Sequence, residues 1–581
     1  MAMKAHSSLK VKGFMAFIFL TRSRRPYFQL AKGVFIFYIM FITKKPLPHA
    51  GLVFVLVLLL AAFTTAGCGN NKTGGRQTAG NQNEIASFTI ADITGDWGFP
   101  SPYAHYSRGS GYVRMSFIFD TLIWKDDKEL IPALADKWEY LPEENAYVFN
   151  LRQNVTWHDG EHFTAQDVVF TYNYMLEHPY HWVDLSALQA VEALDDYRVK
   201  LVLVKPYAPF LDYVAGTVPI LPEHIWKNVT DPLQFLDNEA LVGTGPFKLA
   251  DYNKEQGTYL YKAFDEYYLG KPKVRELKFV KVSNEMTASA LRQNQVDMAP
   301  IPPELVKDLK EEGFEVITGS YDWVAKMMIN HQKVPLNNQK LRQALAYAVD
   351  RQALVDTALR GHGIPASPGL VPPDNKWYNA ELNDSYPVDP DKIEALLNGL
   401  GYVKNGDYYE KDGRTLELEL LVSSSGIGVP GAPTERTGEM IKSQLEQHGI
   451  KINMRNLETK TLDNRVTEWQ FDLALSGHGG LGGDPTILNK VIISKGFNSA
   501  RYTRDEEFND VLKKQLTVTD PTERLKLVGR VQEIHAATLP CLPLYHPTWY
   551  YAHNGQVNIY YTFQGVGSGV PIPLNKMSFV K

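Results

Sequence analysis

Residues 134–170 read LADKWEYLPEENAYVFNLRQNVTWHDGEHFTAQDVVF. Tyr147, Phe149 and Leu151 alternate as a half-buried strand does, and His158-Asp159-Gly160 follows as a polar, glycine-containing turn. A helix comes next. Thr164 stands as its N-cap with Asp167 three residues on, and Val168, Val169, Tyr172 and Met175 supply an apolar face.

Upstream, Ser87 to Ile93 alternates as a first strand. A loop rich in aromatics and glycine (DWGFPSPYAHYSRGSG) runs from Asp96 to Gly111, and residues 113–123 are predicted to be helical. Downstream, Arg198 to Val204 alternates as a strand, Pro222 opens a helix, and Gly243-Thr244-Gly245-Pro246 leads into strand-like sequence. That glycine pair is no phosphate cradle, because no helix N-terminus follows to aim its amides at an anion. A strand is predicted near Val274 to Val282 and a helix near Met286 to Gln293. Leu341, Leu345, Ala348 and Val349 share one helix face; Asp389 to Tyr402 makes a further helix capped by Gly401, and Met440 to Ile450 another.

In order and content these segments resemble extracellular solute-binding protein family 5, the receptors of ABC importers that include oligopeptide-, dipeptide- and nickel-binding proteins. The family pattern of Leu-Arg, Phe-His-Asp-Gly and Thr-Ala-x-Asp-Val is met by Leu151-Arg152, Trp157-His158-Asp159-Gly160 and Thr164 to Val168, with Trp157 replacing phenylalanine. Leu221-Pro222-Glu223-His224, the Gly-Thr-Gly-Pro element, Tyr267 to Pro272 and Leu341 to Arg351 recur in family order, so the resemblance spans residues 120–545. It implies an α/β, two-lobed periplasmic-binding-protein fold of class II type, with an extra subdomain and the ligand cleft between the lobes. Lobe I is expected to comprise residues 84–315 plus 545–581, including the subdomain at 116–204, and lobe II residues 316–544. The resemblance also implies a monomeric receptor that does no chemistry and needs no cofactor. Its partners would be a small ligand (peptide-like, a metal chelate or a sugar) and the ABC permease subunits.

The N-terminus carries an address. Gly51 to Phe63 is an apolar run preceded by Lys44 and Lys45, and it ends in Thr65-Ala66-Gly67-Cys68, the layout of a secretory signal with a lipoprotein cleavage site. By resemblance to bacterial lipoproteins, residues 1–67 are a leader, translation is expected to start at Met40, and Cys68 is lipidated. The apolar run is shorter than the roughly 20 residues that span a bilayer. Residues 69–83 (GNNKTGGRQTAGNQN) read as a flexible tether. Beyond residue 67 the chain holds 51 basic and 65 acidic residues, net −14, which disfavours nucleic-acid binding and leaves the acyl chains on Cys68 as the membrane attachment. The other cysteine, Cys541, lies in an apolar run and reads as a small buried hydrophobe.

Ligand chemistry is expected in loops facing the cleft. Phe471 to Pro485 (FDLALSGHGGLGGDP) is a strand followed by a glycine-rich loop, and it resembles the family loop Gly-Trp-x-x-Asp-x-x-Asp-Pro. The first aspartate of that loop pairs with the ligand's α-ammonium in peptide-binding members. Leu481 holds its place here and His478 the tryptophan's, so either another acid supplies the charge or the ligand lacks a free amine. Replacing Leu481 by aspartate is expected to raise affinity for free-amino peptides. Asp484 is a substitute anchor or, as the family suggests, a structural residue. The glycines leave room for a bulky ligand or serve positive backbone angles. His478 is a candidate nickel-chelate contact, with a hydrogen-bonded loop histidine as the alternative. Trp97, Tyr103, Tyr106 and Arg108 are candidate ligand contacts through stacking and carboxylate clamping, with lobe packing as the alternative. Gly-x-Ser-x-Gly, His-Glu-x-x-His, a Walker loop and Cys-x-x-Cys are absent from the sequence. A secreted lipoprotein hydrolase and a ligand sensor of the same fold remain the rival readings.

Overall fold

The computed structural model describes residues 84–126, 128–424, 434–496, 498–562, 565 and 573–580. The expected leader, the start at Met40, Cys68 and the tether lie outside them. Two mixed sheets organise the described chain. The first has seven strands in the spatial order Glu315–Thr318, Tyr550–His553, Met298–Ile301, Ile85–Asp92, Val274–Lys281, Thr258–Ala263 and Phe247–Asn253. Ile85–Asp92 lies at its centre, parallel to Val274–Lys281, with Phe88 and Ile90 buried.

The second sheet has six strands: Gly363–Pro365, Cys541–Pro547, Val324–Ile329, Leu473–His478, Glu417–Ser423 and Lys451–Leu457. Val324–Ile329 is buried on both faces. Ala325, Met327 and Ile329 join a core with the helices Gln339–Ala348 and Thr434–Gln447, while Val324 and Met328 join another with Thr486–Ile492 and Pro521–Thr538. This helix–sheet–helix layering accounts for the near-continuous apolar run of the strand. Lys326 interrupts it, wholly buried, with its ammonium donating to the Asn498 carbonyl (2.6 Å).

The chain passes from the first sheet to the second and back again. Glu315–Thr318 and Tyr550–His553 pair in the first, whereas Val324–Ile329 and Cys541–Pro547 pair in the second. The crossings therefore fall at residues 319–323 and 548–549. This corrects the expected boundaries at 315/316 and 544/545, each of which cuts a strand. A strand stays with its hydrogen-bonded neighbours, and those neighbours are distant in sequence.

The opening segment folds largely as read. Ala135–Leu141 and Ala146–Leu151 pair, Gly160 takes φ +100° in the turn, and Thr164 caps the helix Ala165–Glu177 in a capping box with Asp167. Ala146–Leu151 is an inner strand of a four-stranded sheet, paired along both edges, and residues on both its faces are buried where alternation predicts one. The helix predicted over 113–123 is corrected to Gly109–Ser116. Past Ser116 the carbonyls of Phe117 and Ile118 are claimed by the N–H groups of Phe247 and Gly245. A Cβ on Gly243 would lie 2.1 Å from the Ile118 carbonyl oxygen, so the Gly-Thr-Gly-Pro element is glycine-built to let two backbones touch.

The end of the chain closes the first lobe. Lys576 is ion-paired with Asp120 at 1 % and 0 % side-chain exposure, donates to the Phe119 carbonyl (3.1 Å) and lies over the Trp124 ring. Asn575 accepts from the Trp124 indole (3.0 Å) and donates to the Lys125 carbonyl (2.7 Å). Tyr267 and Thr244 hydroxyls also donate to Asp120 (3.3 Å each).

Lys576→Met strands Asp120 in the core and is expected to cost about 3–5 kcal/mol, read as a lower urea midpoint. Adding Asp120→Asn should recover part of the loss, and an unchanged midpoint in the single variant would deny the pair its role. A second expectation concerns acid. Burial lowers His105 to about 3, and His331, His535 and His546 to about 4, all four being under 4 % exposed. The folded state then binds fewer protons than the unfolded chain below about pH 6.5. Their contribution is complete above that pH and is lost as pH falls, at a limiting slope of about 1.4 kcal/mol per unit for each histidine. Urea midpoints taken between pH 7.5 and 5.5 check this, and a flat profile would contradict it.

Candidate ligand-binding cleft

The glycine-rich loop follows the strand Leu473–His478 in the second lobe, and its Gly482, Gly483 and Asp484 line a cavity of about 180 Å³. A Cβ on Gly477 would lie 1.7 Å from the Trp323 ring, so only glycine lets that indole lie against the strand end. Gly480 takes φ +88°. The backbone-angle reading of these glycines holds at 480, whereas the space at 477 is taken by the Trp323 ring and not left for a ligand.

Leu481 turns away from the cleft. It is 1 % exposed within the core of Val324, Met328, Leu488 and Val491, its N–H donates to the Asp322 carbonyl (3.0 Å), and its carbonyl accepts from the Asn375 side chain (2.7 Å). The sequence expectation for this position is corrected: matching by count places 481 in the loop, but packing commits its side chain to the core. Asp484 is likewise fastened, accepting two 2.7 Å bonds from Arg524 and one of 2.8 Å from the Thr486 N–H at the start of Thr486–Ile492. Burial is the largest influence and would raise its carboxyl, but the Arg524 charge and hydrogen bonds together with those of Thr486 make the net shift downward. Asp484 is the structural residue of the two options, although its edge still lines that cavity with Asp212, Ser320 and Asp374. His478 is half-buried with Nδ1 against the Gly479 carbonyl (2.7 Å); burial and the nearby Lys326 hold it neutral, with a pKa of about 3. No group of three or more potential metal-ligating His, Cys, Asp or Glu side chains forms among the described residues.

The 96–111 loop, which carries four of the candidate contacts, belongs to the first lobe. Tyr106 is 42 % exposed and its hydroxyl donates to Asp96 (2.5 Å), which also accepts from Tyr252 (2.6 Å) and the Gly98 N–H (3.0 Å). The half-buried Trp97 donates its indole N–H to Asp92 (2.7 Å). Arg108 is exposed at the N-cap of Gly109–Ser116, where its side chain makes no capping bond, and its charge acts on Asp463 of the opposite lobe. Tyr103 leaves the set of candidates. It is 5 % exposed, donates to the His178 carbonyl (2.7 Å), and packs edge-on to Tyr174 and Tyr180 inside the subdomain. The lobes also meet where the Ala208 N–H donates to the Leu516 carbonyl (2.8 Å). Tyr207 lies near Asp484 and Arg524, and His181 near Lys490.

Sequence reasoning missed His181, Tyr207, Asp322 and Trp323. The last pair had a signal: an acid and a large aromatic stand immediately before the apolar strand Val324–Ile329.

Leu481→Asp places a carboxylate in an apolar core. It should lower unfolding free energy by about 3 kcal/mol, seen as a reduced urea midpoint, and give no gain in peptide affinity; a stable variant with tighter binding would restore the first reading of position 481.

Comparison with known proteins agrees with this architecture. The family model described as "Bacterial extracellular solute-binding proteins, family 5 Middle" matches residues 129–496. The chain is 28% identical over 455 residues to a dipeptide-binding protein of Escherichia coli, covering 72% of this chain and 81% of that one. It is 28% identical over 528 residues to heme-binding protein A of Haemophilus influenzae, covering 84% and 93%. The crystal structure of NikZ from Campylobacter jejuni in complex with Ni(L-His) superposes with a TM-score of 0.71 at 24% identity, covering 86% of this chain and 100% of that one. With two α/β lobes, a cleft between them and a family match over most of its length, the chain belongs to the bacterial extracellular solute-binding proteins of family 5.

Proposed function

We propose that this protein is the lipid-anchored receptor of an ABC importer, held to the outer face of a membrane by acyl chains on Cys68, and that it delivers a small ligand to the permease. The observation that supports this reading most is a cavity of about 180 Å³ between the lobes, lined by Asp212 of the first and by Asp374 and Asp484 of the second. A ligand touching both lobes stabilises the closed arrangement by its differential affinity. No bond of the ligand is broken in such a cycle.

Peptide or peptide-like ligands are the leading class, by analogy with relatives named for dipeptides. A nickel chelate has the analogy of NikZ, but His478 stands without further metal-ligating side chains around it among the described residues. An oligosaccharide draws on the exposed Tyr106 as a stacking surface.

Small-angle scattering of the mature protein with and without extract of its host tests the reading. A smaller radius of gyration with extract, together with a co-purifying small molecule in native mass spectra, is the expected result. Turnover of peptide or glycoside substrates without compaction would favour a hydrolase instead. Mass analysis of the N-terminal peptide should find Cys68 acylated.

A further inference from the structure

Asp322 is the residue whose environment asks for a partner. It lies within the first crossing, is 6 % exposed, and no basic side chain among the described residues comes within ion-pair distance of it. The comparably buried carboxylates Asp120 and Asp484 each face a cation, Lys576 and Arg524. Asp322 instead has the Gly480 N–H, the Trp549 side chain and its own backbone N–H as hydrogen-bonding neighbours, and a like charge, Asp374, nearby. A carboxylate offers about four acceptor positions, and burying it without a cation is costly. Burial accordingly pushes its carboxyl up to about 7.

The geometry shows where a cation fits. A Cβ built on half-exposed Gly479 meets, within 4 Å, only the Trp323 ring (Cδ1, 3.5 Å) and Asp322 Oδ2 (3.7 Å). The side-chain direction of Gly479 is thus a small niche with a carboxylate oxygen on one wall and an indole on the other. The carboxylate attracts a compact cation by charge and hydrogen bonding, and the indole beside it excludes water from one side. A primary ammonium, a point charge with three donors, suits a niche of this size better than a planar guanidinium. The niche also belongs to the glycine loop in which position 481 is committed to the core, since the Leu481 N–H is itself bonded to the Asp322 carbonyl.

We propose that Asp322, with the Trp323 indole beside it, is the anchor for the primary ammonium group of a ligand bound in the cleft. This rests on the solute-receptor reading above. It names the ligand as amine-bearing and assigns its amine to the loop side of the cleft. The contact supplies from the crossing between the lobes a charge that position 481, committed to the core, is not placed to supply.

The test uses a mixture of tripeptides with free amino termini and the same tripeptides N-acetylated, offered to the mature protein and read by native mass spectrometry and calorimetry. Wild type should hold the free-amino forms at least tenfold more tightly. Asp322→Asn should remove at least tenfold of that affinity while leaving the acetylated forms within twofold, and its thermal midpoint should be equal or higher, since an uncompensated buried charge has gone. If the variant does not fold, the wild-type preference decides alone. Equal binding of both forms overturns the anchor and leaves the receptor reading intact. Binding of neither form overturns the anchor too, and if host extract also fails to compact the protein, the receptor reading falls with it.

Discussion

The buried pair between Asp120 and Lys576 ties the first lobe to the far end of the chain. Everything between residues 319 and 549 folds as an excursion into a second sheet, so the first lobe is incomplete until its last strand and the C-terminal turn return to it. The pair sits at the point of return, with the Trp124 indole, Tyr267 and Thr244 gathered around it. A salt bridge this deep is weak evidence of net stability but strong evidence of specificity: the carboxylate accepts one cation, in one place, and alternative dockings of the C-terminus leave a charge in the core. The lobe that carries Trp97, Tyr106 and Arg108 is held in shape by a residue more than 450 positions downstream of its partner.

How much of this was legible in the sequence depends on the range of the interactions involved. The capping box at Thr164, the turn at Gly160 and the cap at Gly401 (φ +84°) are local, and local chemistry reads directly. The same is true of the four apolar residues on one face of Gln339–Ala348 and at its end, all of which are buried. The 113–123 helix failed because its second half is occupied by backbone bonds to residues 245 and 247, which no window around residue 118 contains. The lobe boundaries slipped for the same reason, pairing being a property of distant strands.

The ligand site was the least legible part, for two different physical reasons. Tyr103 and Tyr106 are three residues apart in one aromatic loop, yet one is packed under the subdomain and the other is exposed; composition does not separate them, whereas the direction of each side chain does. In the glycine-rich loop, position-by-position comparison located the segment but not its contents. The loop is shaped by what presses on it, the Trp323 ring against Gly477, and by what its next residue buries, Leu481. Asp322 and Trp323 belong to a different segment, and only the fold sets them beside it.

The two crossings lie side by side. The Gly319 N–H donates to the Trp549 carbonyl (2.8 Å), and the Ser320 N–H and hydroxyl both engage the Tyr561 hydroxyl (2.7 Å each). A Cβ on Gly319 would stand 2.1 Å from the Trp549 ring, so glycine lets the two strips lie flush. Mechanically such a pair is a flexure and not a thread. Two strips joined in this way bend more easily across their common plane than they twist or shear within it, so a closing of the lobes would have one preferred direction, and a surface docking across both would meet the same two faces in the same alignment.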